Sequence, residues 1–469
     1  MRQQKKQIII ISGLLVMALL GLLVTTLLDK KPEETSVAEN VLENHSIDEV
    51  VEIDISNQND NYKVRKEGGG FLIEELPMDL INPDYLLMLL QEASKIEYLE
   101  VVDERPQDLS VYGLDKPEAV VQVKYSDDTS IELLIGKQES ISQNRYVKQA
   151  GRDEVLLKKN NQTIRFTMPL TDYFSLEIVP FSQTGSPLYA VQDITFSGTA
   201  LKEPIKIEAV TGDNEQTLRD AISFGAITHI MRSPNVHEVD QKEAIEVFSS
   251  VVGLLNEKVI AYNCTDEELA KYGFDNPYLQ IEFDFVAAKN APAERIKLRV
   301  VPYQDSYAVV RDDQRVVHLI RDEAFLKTDY SRLVLRWFFS PLITDIAKVE
   351  VDLDGENNVF ELSGKTNKEL SASLNGEALD IQRFREYYTL LISASNDGEG
   401  LVSEQPDKNA KPVLTIKYEY KDEQKAPDVL QLYDAGSRKL YASVNGITEF
   451  KMQSKYLEDV KLATTNLQN

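Results

Sequence analysis

The residues with the greatest potential for chemistry form a short motif that occurs twice. In each copy a tyrosine and a glycine are followed by an apolar residue, an aspartate and, two residues later, a proline. The copies consist of Tyr112, Gly113, Leu114, Asp115 and Pro117, and of Tyr272, Gly273, Phe274, Asp275 and Pro277. Such a pair could be an active site used twice, or a structural joint in a fold built twice.

The residue types favour the structural interpretation. Glycine suits a positive φ angle, aspartate can bond nearby backbone amides, and proline fixes φ at the edge of a strand. The motif would then join the segment after a helix to a central strand. Because aromatic residues are enriched at protein interfaces, Tyr112 and Tyr272 are also candidates for contact with a partner.

Other side chains that could do chemistry are scattered. The histidines are His45, His229, His237 and His318. His229 and His318 lie in apolar alternations typical of strands, and Cys264 has no adjacent partner, so we expect structural roles for all three. The acidic stretch 352–361 lacks the calcium-loop spacing and is interpreted as a turn at Asp354 and Gly355. With no phosphate-loop, hydrolase-elbow or zinc-protease motif, we expect no catalytic residue, cofactor or metal site.

Composition narrows the function classes further. The net charge is −26, with 77 acidic residues, and such a surface repels a phosphate backbone, so nucleic acid is not an expected partner. A single cysteine excludes an intramolecular disulfide, so packed cores must stabilise the fold. At 469 residues the chain is long enough for about three domains.

The N-terminal region predicts a membrane anchor. Residues 8–28 are uncharged and long enough to cross a bilayer as a helix, and Arg2, Lys5 and Lys6 precede them. We therefore expect residues 1–7 in the cytoplasm, a single-pass transmembrane helix at 8–28, a polar stalk at 29–47 and the remainder outside the cell membrane. A cleaved signal peptide is the alternative, but no cleavage pattern adjoins residue 28.

Beyond the stalk, three features recur in the same order. The first is an amphipathic helix, with Asn82, Asp240 or Asp380 at its N-cap. The second is a strand after Pro117, Pro277 or Pro412, in which the apolar residues fall at proline plus 2, 4, 6 and 8 each time. The third is a later strand containing Tyr146, Tyr307 or Tyr441. A shift of one residue would turn a strand inside out, so the shared phase indicates a shared fold.

These observations predict an α+β protein. We expect an N-terminal transmembrane helix followed by three repeated modules, each a mainly antiparallel β-sheet with one amphipathic helix. The modules would span residues 48–180, 190–340 and 343–469. The third is divergent, because residues 403–406 replace the Tyr-Gly motif there.

The N-terminal span, the stretch "YGLDKP" and the strands that follow it also resemble a domain-of-unknown-function family of membrane-anchored extracytoplasmic proteins. Members are commonly encoded beside ABC transporters of the gliding-motility type. The resemblance covers residues 1 to about 340 and carries no catalytic residues. It implies an accessory subunit that acts outside the membrane with a transporter permease or another accessory subunit.

Three functions follow as hypotheses. The first is a non-enzymatic extracytoplasmic scaffold of an ABC transporter complex that binds transporter subunits or cargo. The second is a cell-surface structural protein, or one that binds an envelope polymer. The third is a hydrolase with a site between modules. It would need a deep pocket that gathers Cys264 or a histidine with acids, and we do not expect such a pocket.

Overall fold

The computed structural model describes residues 40–74, 76–217, 227–339, 341–398, 400–402 and 404–468. These residues belong to two compact units, one ending at Ser175 and the other beginning at Leu176. The predicted segments 1–7 and 8–28, and the stalk up to residue 39, lie outside the described residues.

The first unit contains an eight-stranded antiparallel sheet, called the first sheet, and a separate two-stranded ribbon. Its strands are β1 (Asn40–Asn44), β2 (Val50–Asn57), β3 (Asn61–Glu67), β4 (Gly70–Ile73), β5 (Lys95–Tyr98), β6 (Glu100–Asp103), β7 (Ala119–Tyr125), β8 (Ser130–Gln138), β9 (Arg145–Gln149) and β10 (Val155–Lys158). Its helices are α1 (Pro83–Ser94) and α2 (Ile164–Thr167). The ribbon pairs β1 with β5, and the first sheet has the order β4-β3-β2-β7-β8-β9-β10-β6.

The second unit contains two more sheets. The second sheet is formed by β11 (Val191–Ser197), β12 (Ile205–Ala209), β13 (His229–Ser233), β14 (His237–Glu238), β15 (Lys258–Ala261), β16 (Leu279–Phe285), β17 (Glu294–Tyr303), β18 (Ser306–Arg311) and β19 (Val317–Ile320). Helices α3 (Pro187–Ala190), α4 (Gln241–Val251), α5 (Asp266–Tyr272) and α6 (Tyr330–Leu333) accompany it. The strand order is β14-β13-β12-β11-β16-β17-β18-β19-β15.

The third sheet completes the second unit. It is formed by β20 (Ile346–Leu353), β21 (Glu356–Ser363), β22 (Ser371–Leu374), β23 (Glu377–Leu379), β24 (Leu414–Tyr420), β25 (Asp428–Asp434), β26 (Lys439–Val444) and β27 (Ile447–Gln453), with helices α7 (Ile381–Leu391) and α8 (Lys455–Gln468). Its order is β23-β22-β21-β20-β24-β25-β26-β27. Short 3-10 helices lie at Ile47–Glu49, Met78–Leu80, Leu109–Tyr112, Asn160–Gln162, Leu170–Tyr173, Ala324–Lys327 and Ile343–Asp345.

The three large sheets repeat one topology. In each sheet, the strands that precede the amphipathic helix form one edge. The strand after the proline pairs with the first of these strands in the chain, and the next three strands follow it in chain order. The sheets differ at the far edge, which β6 and β15 occupy in the first two. In the third, β27 is the last strand among the described residues, and Gly400 forms an isolated bridge to Phe450.

The predicted strand phase is confirmed in all three copies. Strands β7, β16 and β24 bury every residue at proline plus 2, 4, 6 and 8. Those residues are Ala119, Val121, Val123 and Tyr125, then Leu279, Ile281, Phe283 and Phe285, and finally Leu414, Ile416, Tyr418 and Tyr420. Burial of one face of each sheet supplies most of the stabilising free energy, since about 25 cal/mol is gained per Å² of apolar surface removed from water.

The predicted helix starts are confirmed as well. The side chain of Asn82 accepts a hydrogen bond from the Asp84 amide at 3.0 Å, and Asp240 and Asp380 cap α4 and α7 in the same way. These bonds satisfy amides that the helix itself leaves unpaired. Helix α4 ends at Val251, and its buried stripe consists of Ala244, Val247, Phe248 and Val251.

The fold-class prediction is wrong in its balance of helix and strand. The described residues form a mainly antiparallel β protein of four sheets with few helices, rather than α+β modules behind a transmembrane helix. Short strands such as β6, β14 and β23 were missed because two to four residues are too few to show alternation. Among the described helices, none is long and apolar enough to cross a membrane.

Candidate functional site

The first copy of the Tyr-Gly motif makes a compact corner in the first unit. The 3-10 helix that contains Tyr112 ends at Gly113, whose φ is 67°, and Leu114 then enters the core. The Tyr112 hydroxyl donates a hydrogen bond to the Asp103 carboxylate at 2.9 Å. A Cβ atom at Gly136 would lie 2.4 Å from the Tyr112 carbonyl oxygen, so the corner also requires glycine on the neighbouring strand.

The second copy makes the same corner in the second unit. Helix α5 ends at Gly273, whose φ is 92°, and Phe274 is fully buried. Arg299 donates to the Phe274 carbonyl oxygen at 2.9 Å. Burial agrees residue by residue between 111–120 and 271–280, with Asp115 and Asp275 exposed in both. Each copy therefore directs the chain from a helical turn into a central strand.

A cavity of about 360 Å³ lies in the second unit, where the second and third sheets meet. It is called the junction cavity here. Its walls are Arg232, Pro234, Asn235, Val236, His237, Glu238, Val334, Leu335, Trp337, Phe338, Phe339, Val444, Asn445, Ile447, Glu449 and Phe450. Trp337 is the single tryptophan of the chain, and its side chain is 55% exposed. The cavity thus combines an accessible aromatic ring with a few polar groups, as small-molecule sites do.

One wall of the cavity is built around a buried carboxylate. Glu449 on β27 is only 4% exposed and accepts three hydrogen bonds from the second sheet and its linker. Asn235 donates at 2.9 Å, the His237 Nε2 atom lies at 2.7 Å, and the Tyr330 hydroxyl is also bound. Because a buried charge without partners is costly, these bonds tie the third sheet to the second.

The same groups perturb one another electrostatically. Burial raises the pKa of Glu449, but the hydrogen bonds from His237, Tyr330 and Asn235 outweigh burial and hold this pKa below its ordinary value. Burial and the Glu449 carboxylate raise the pKa of Tyr330. At neutral pH the cluster therefore holds one ionised carboxylate and a tyrosine that keeps its proton.

Aromatic packing fixes the position of this cluster. The Tyr330 and Phe450 rings are stacked with centroids 6.0 Å apart, and the His237 ring meets Phe450 edge-on at 5.4 Å. A Cβ atom at Gly400 would lie 3.1 Å from both Phe450 and Tyr330. Phe450 belongs to the hydrophobic cluster of the second sheet although it lies on the third. The two sheets consequently share part of one core.

The walls of the cavity include side chains that can take part in acid–base chemistry. Contrary to expectation, a pocket in the second unit does gather a histidine with acids. Yet none of the described residues that line it is a serine, threonine or cysteine, the side chains that most often act as nucleophiles. The Glu449 carboxylate is also occupied by three donors, which suits a structural tie better than a proton acceptor.

Sequence reasoning missed most of this site. His237 was noted without a role, and Asn235, Trp337 and Glu449 were not singled out. Their connection spans more than 200 positions, since His237 and Glu449 are 212 positions apart in the sequence. A usable signal was the triplet Thr-Asp-Tyr, which occurs at 171–173 and again at 328–330 and ends each time in a buried tyrosine.

The other predicted structural residues lie where strand and core positions were expected. His229 is on β13 and its Nε2 atom lies 2.9 Å from the Val191 carbonyl oxygen, and His318 is on β19. Cys264 is buried beside Leu269, and burial raises the pKa of its thiol. In the described part of the chain, no group of three or more histidine, cysteine or acidic residues could hold a metal ion.

Comparison with known proteins gives one match. Neither the curated proteins nor the solved structures contain a match to this chain. Residues 74–277 match a family model described as a domain of unknown function, DUF4340. The match includes both Tyr-Gly motifs and the wall of the junction cavity from Arg232 to Glu238. The chain therefore contains a DUF4340 domain.

Proposed function

We propose that the protein is a non-enzymatic accessory subunit of an ABC transporter complex. It acts on the extracytoplasmic side and binds the cargo, or another subunit, at the junction cavity. The observation that carries this proposal is a cavity in which an accessible Trp337 lies beside a few polar groups. The transporter association rests on the family resemblance of residues 1 to about 340.

The architecture supports a scaffold role. The chain contains three similar sheets, and the net charge of −26 keeps their surfaces soluble and repels anionic polymers. The Glu449 tie fixes the third sheet against the second, so that the cavity walls keep their spacing. A preformed cavity binds its ligand without the entropic cost of ordering loops.

Affinity purification of the tagged native protein from membranes in mild detergent tests the association. We expect an ABC ATPase and permease to be recovered reproducibly, and not from cells that carry the untagged protein. Co-sedimentation with cell wall and repeated absence of transporter subunits would instead support an envelope-binding role.

Two variants locate the contact. Trp337→Ala removes the exposed indole, whereas Leu342→Ala removes an exposed apolar side chain that does not line the cavity. If the cavity holds cargo, both variants should retain the transporter subunits. If it holds a transporter subunit, only Leu342→Ala should retain them.

A further inference from the structure

We propose that the junction cavity binds a neutral saccharide unit, with the sugar ring stacked on Trp337. The inference rests on the binding role proposed for the cavity and is independent of the transporter association. It specifies the class of ligand that this site would take.

Trp337 provides a rigid apolar platform. A large aromatic residue is normally well buried, but this side chain is 55% exposed at the cavity. Its backbone is held in place by a bridge to Ser395 and by the Phe338 amide, which donates to the Ala394 carbonyl oxygen at 3.0 Å. The apolar face of a sugar ring can cover such an indole while its hydroxyl groups stay hydrated.

Polar atoms around the platform offer both donors and acceptors. Arg232 lines the cavity and contacts Glu208 through Nε at 3.4 Å, and its guanidinium group carries further N–H donors. Asn235 uses its amide nitrogen on Glu449, which leaves the amide oxygen as an acceptor. His237 uses Nε2 on the same carboxylate and has Nδ1 available. Sugar hydroxyls can pair with either kind of atom.

The charges disfavour an anionic ligand. Arg232 is paired with Glu208 and His237 with Glu449, and Glu238 also lines the cavity. The whole chain is strongly acidic, with a net charge of −26. A nucleotide or an acidic polymer would be repelled, whereas a neutral ligand pays no such penalty.

The backbone around the cavity disfavours an added peptide strand. The Leu335 amide donates to the Glu238 carbonyl oxygen at 2.8 Å, Val239 bridges Val334, and Trp337 bridges Ser395. These edges are already paired, so an extended peptide would lack the main-chain bonds that give strand addition its affinity. The volume of about 360 Å³ lies at the small end of ligand sites.

Fluorescence of the purified full chain gives a direct test, because Trp337 is its single tryptophan. The probes are N,N′,N″-triacetylchitotriose, cellotriose and maltotriose, three neutral trisaccharides. We expect at least one to cause a saturable change in tryptophan emission. Arg232→Gln should weaken this binding about tenfold, since a hydrogen bond from a charged group is worth about 1.5–3 kcal/mol.

A glycan array with the labelled full chain widens the test. The wild type and Leu342→Ala should bind the same neutral glycans, and Trp337→Ala should lose them. Absence of binding to all neutral glycans on the array and to all three trisaccharides would overturn the proposal. An equal response to the apolar peptide N-acetyl-Leu-Phe-amide would also overturn it, and would indicate a peptide ligand instead. Recovery of transporter subunits does not bear on either result.

Discussion

Tyr173 of the first unit and Tyr330 of the second end the same triplet, Thr-Asp-Tyr, but their hydroxyl groups have different partners. Tyr173 donates to the Arg165 carbonyl oxygen at 2.9 Å and accepts from the Tyr62 hydroxyl at 3.3 Å, all within the first unit. Tyr330 donates to the carboxylate of Glu449 on the third sheet. The tyrosine of the triplet thus bonds to neutral groups in the first unit. In the second unit, it connects the second sheet to the third through the charged Glu449 carboxylate.

This difference shows where a repeated fold can acquire a new property. The buried tyrosine is common to both copies, and its hydrogen-bond partners differ. A hydrogen bond to a charged acceptor is stronger than one between neutral groups. A buried charge that loses one of its donors, however, also costs more than a neutral group that does so. We therefore expect the second unit to be the more sensitive of the two to substitution and to acid.

The largest effect should come from removing the charged acceptor. Glu449→Ala leaves Tyr330, His237 and Asn235 without their shared partner, and we expect a loss of about 3–5 kcal/mol in the free energy of unfolding of the second unit. Urea denaturation followed by circular dichroism measures this loss. Glu361→Ala, an exposed acid on β21 of the same sheet, is the matched control and should change stability by about 0.5 kcal/mol at most. Equal losses for Glu449→Ala and Glu361→Ala would contradict a stabilising role for the charged acceptor of Tyr330.

The two tyrosines can then be compared directly. Tyr330→Phe removes a bond to a charged group and should cost about 1.5–3 kcal/mol, whereas Tyr173→Phe removes bonds between neutral groups and should cost about 0.5–1.5 kcal/mol. Each variant is the control for the other in urea denaturation at neutral pH. A larger loss of unfolding free energy for Tyr173→Phe than for Tyr330→Phe would contradict the stronger bond assigned to the charged acceptor.

His318 should make the second unit sensitive to acid. Its side chain is buried with both ring nitrogens unpartnered among the described residues, and burial lowers its pKa from 6.5 to about 4. Between these values the unfolded chain binds a proton that the folded chain does not, so stability falls as pH falls. Relative to His318→Leu, the wild type should lose about 1–2 kcal/mol between pH 7 and pH 4.5. Parallel pH profiles for the two proteins would contradict this assignment.

Glu92 on α1 should give the first unit the opposite trend. Burial raises its pKa from 4.5 to about 8, although Lys158 and Arg165 act against burial. The folded chain keeps its proton over this window while the unfolded chain releases it, so stability falls as pH rises from 4.5 to 8. Glu92→Gln should be more stable than the wild type by about 1 kcal/mol at pH 8, because partial exposure screens the charge.

At pH 4.5, Glu92→Gln and the wild type should have the same stability. The measurement is urea denaturation at both pH values, with Glu67→Gln, an exposed acid on β3, as the control. A difference that stays constant with pH would mean that the Glu92 carboxylate does not titrate in this window.

The sequence predicts those parts of the fold that depend on local pattern. Alternation identified β7, β16 and β24 with the correct buried face, and side-chain caps identified the starts of α1, α4 and α7. Thr265 and Glu268 form a capping box that could have revealed α5 in the same way, but it was not recognised. The turn at Asp354 and Gly355 is confirmed, with φ angles of 51° and 96°.

The junction cavity could not be predicted in this way, because its walls come from three separated segments. Periodicity says which face of β27 is buried, but it does not say that Glu449 meets His237 of another sheet. The β1–β5 ribbon was missed for a similar reason, since Asn40–Asn44 was interpreted as part of a polar stalk. Pairing between distant segments depends on tertiary structure that local propensity does not encode.

The position of Phe450 has a consequence for the synthesis of the protein. This ring completes a hydrophobic cluster whose other members lie between Ile178 and Val334. Domains generally fold as they leave the ribosome, in order from the N-terminus. The second sheet cannot complete its core until β27 of the third sheet has been made, so part of its apolar face stays uncovered until then.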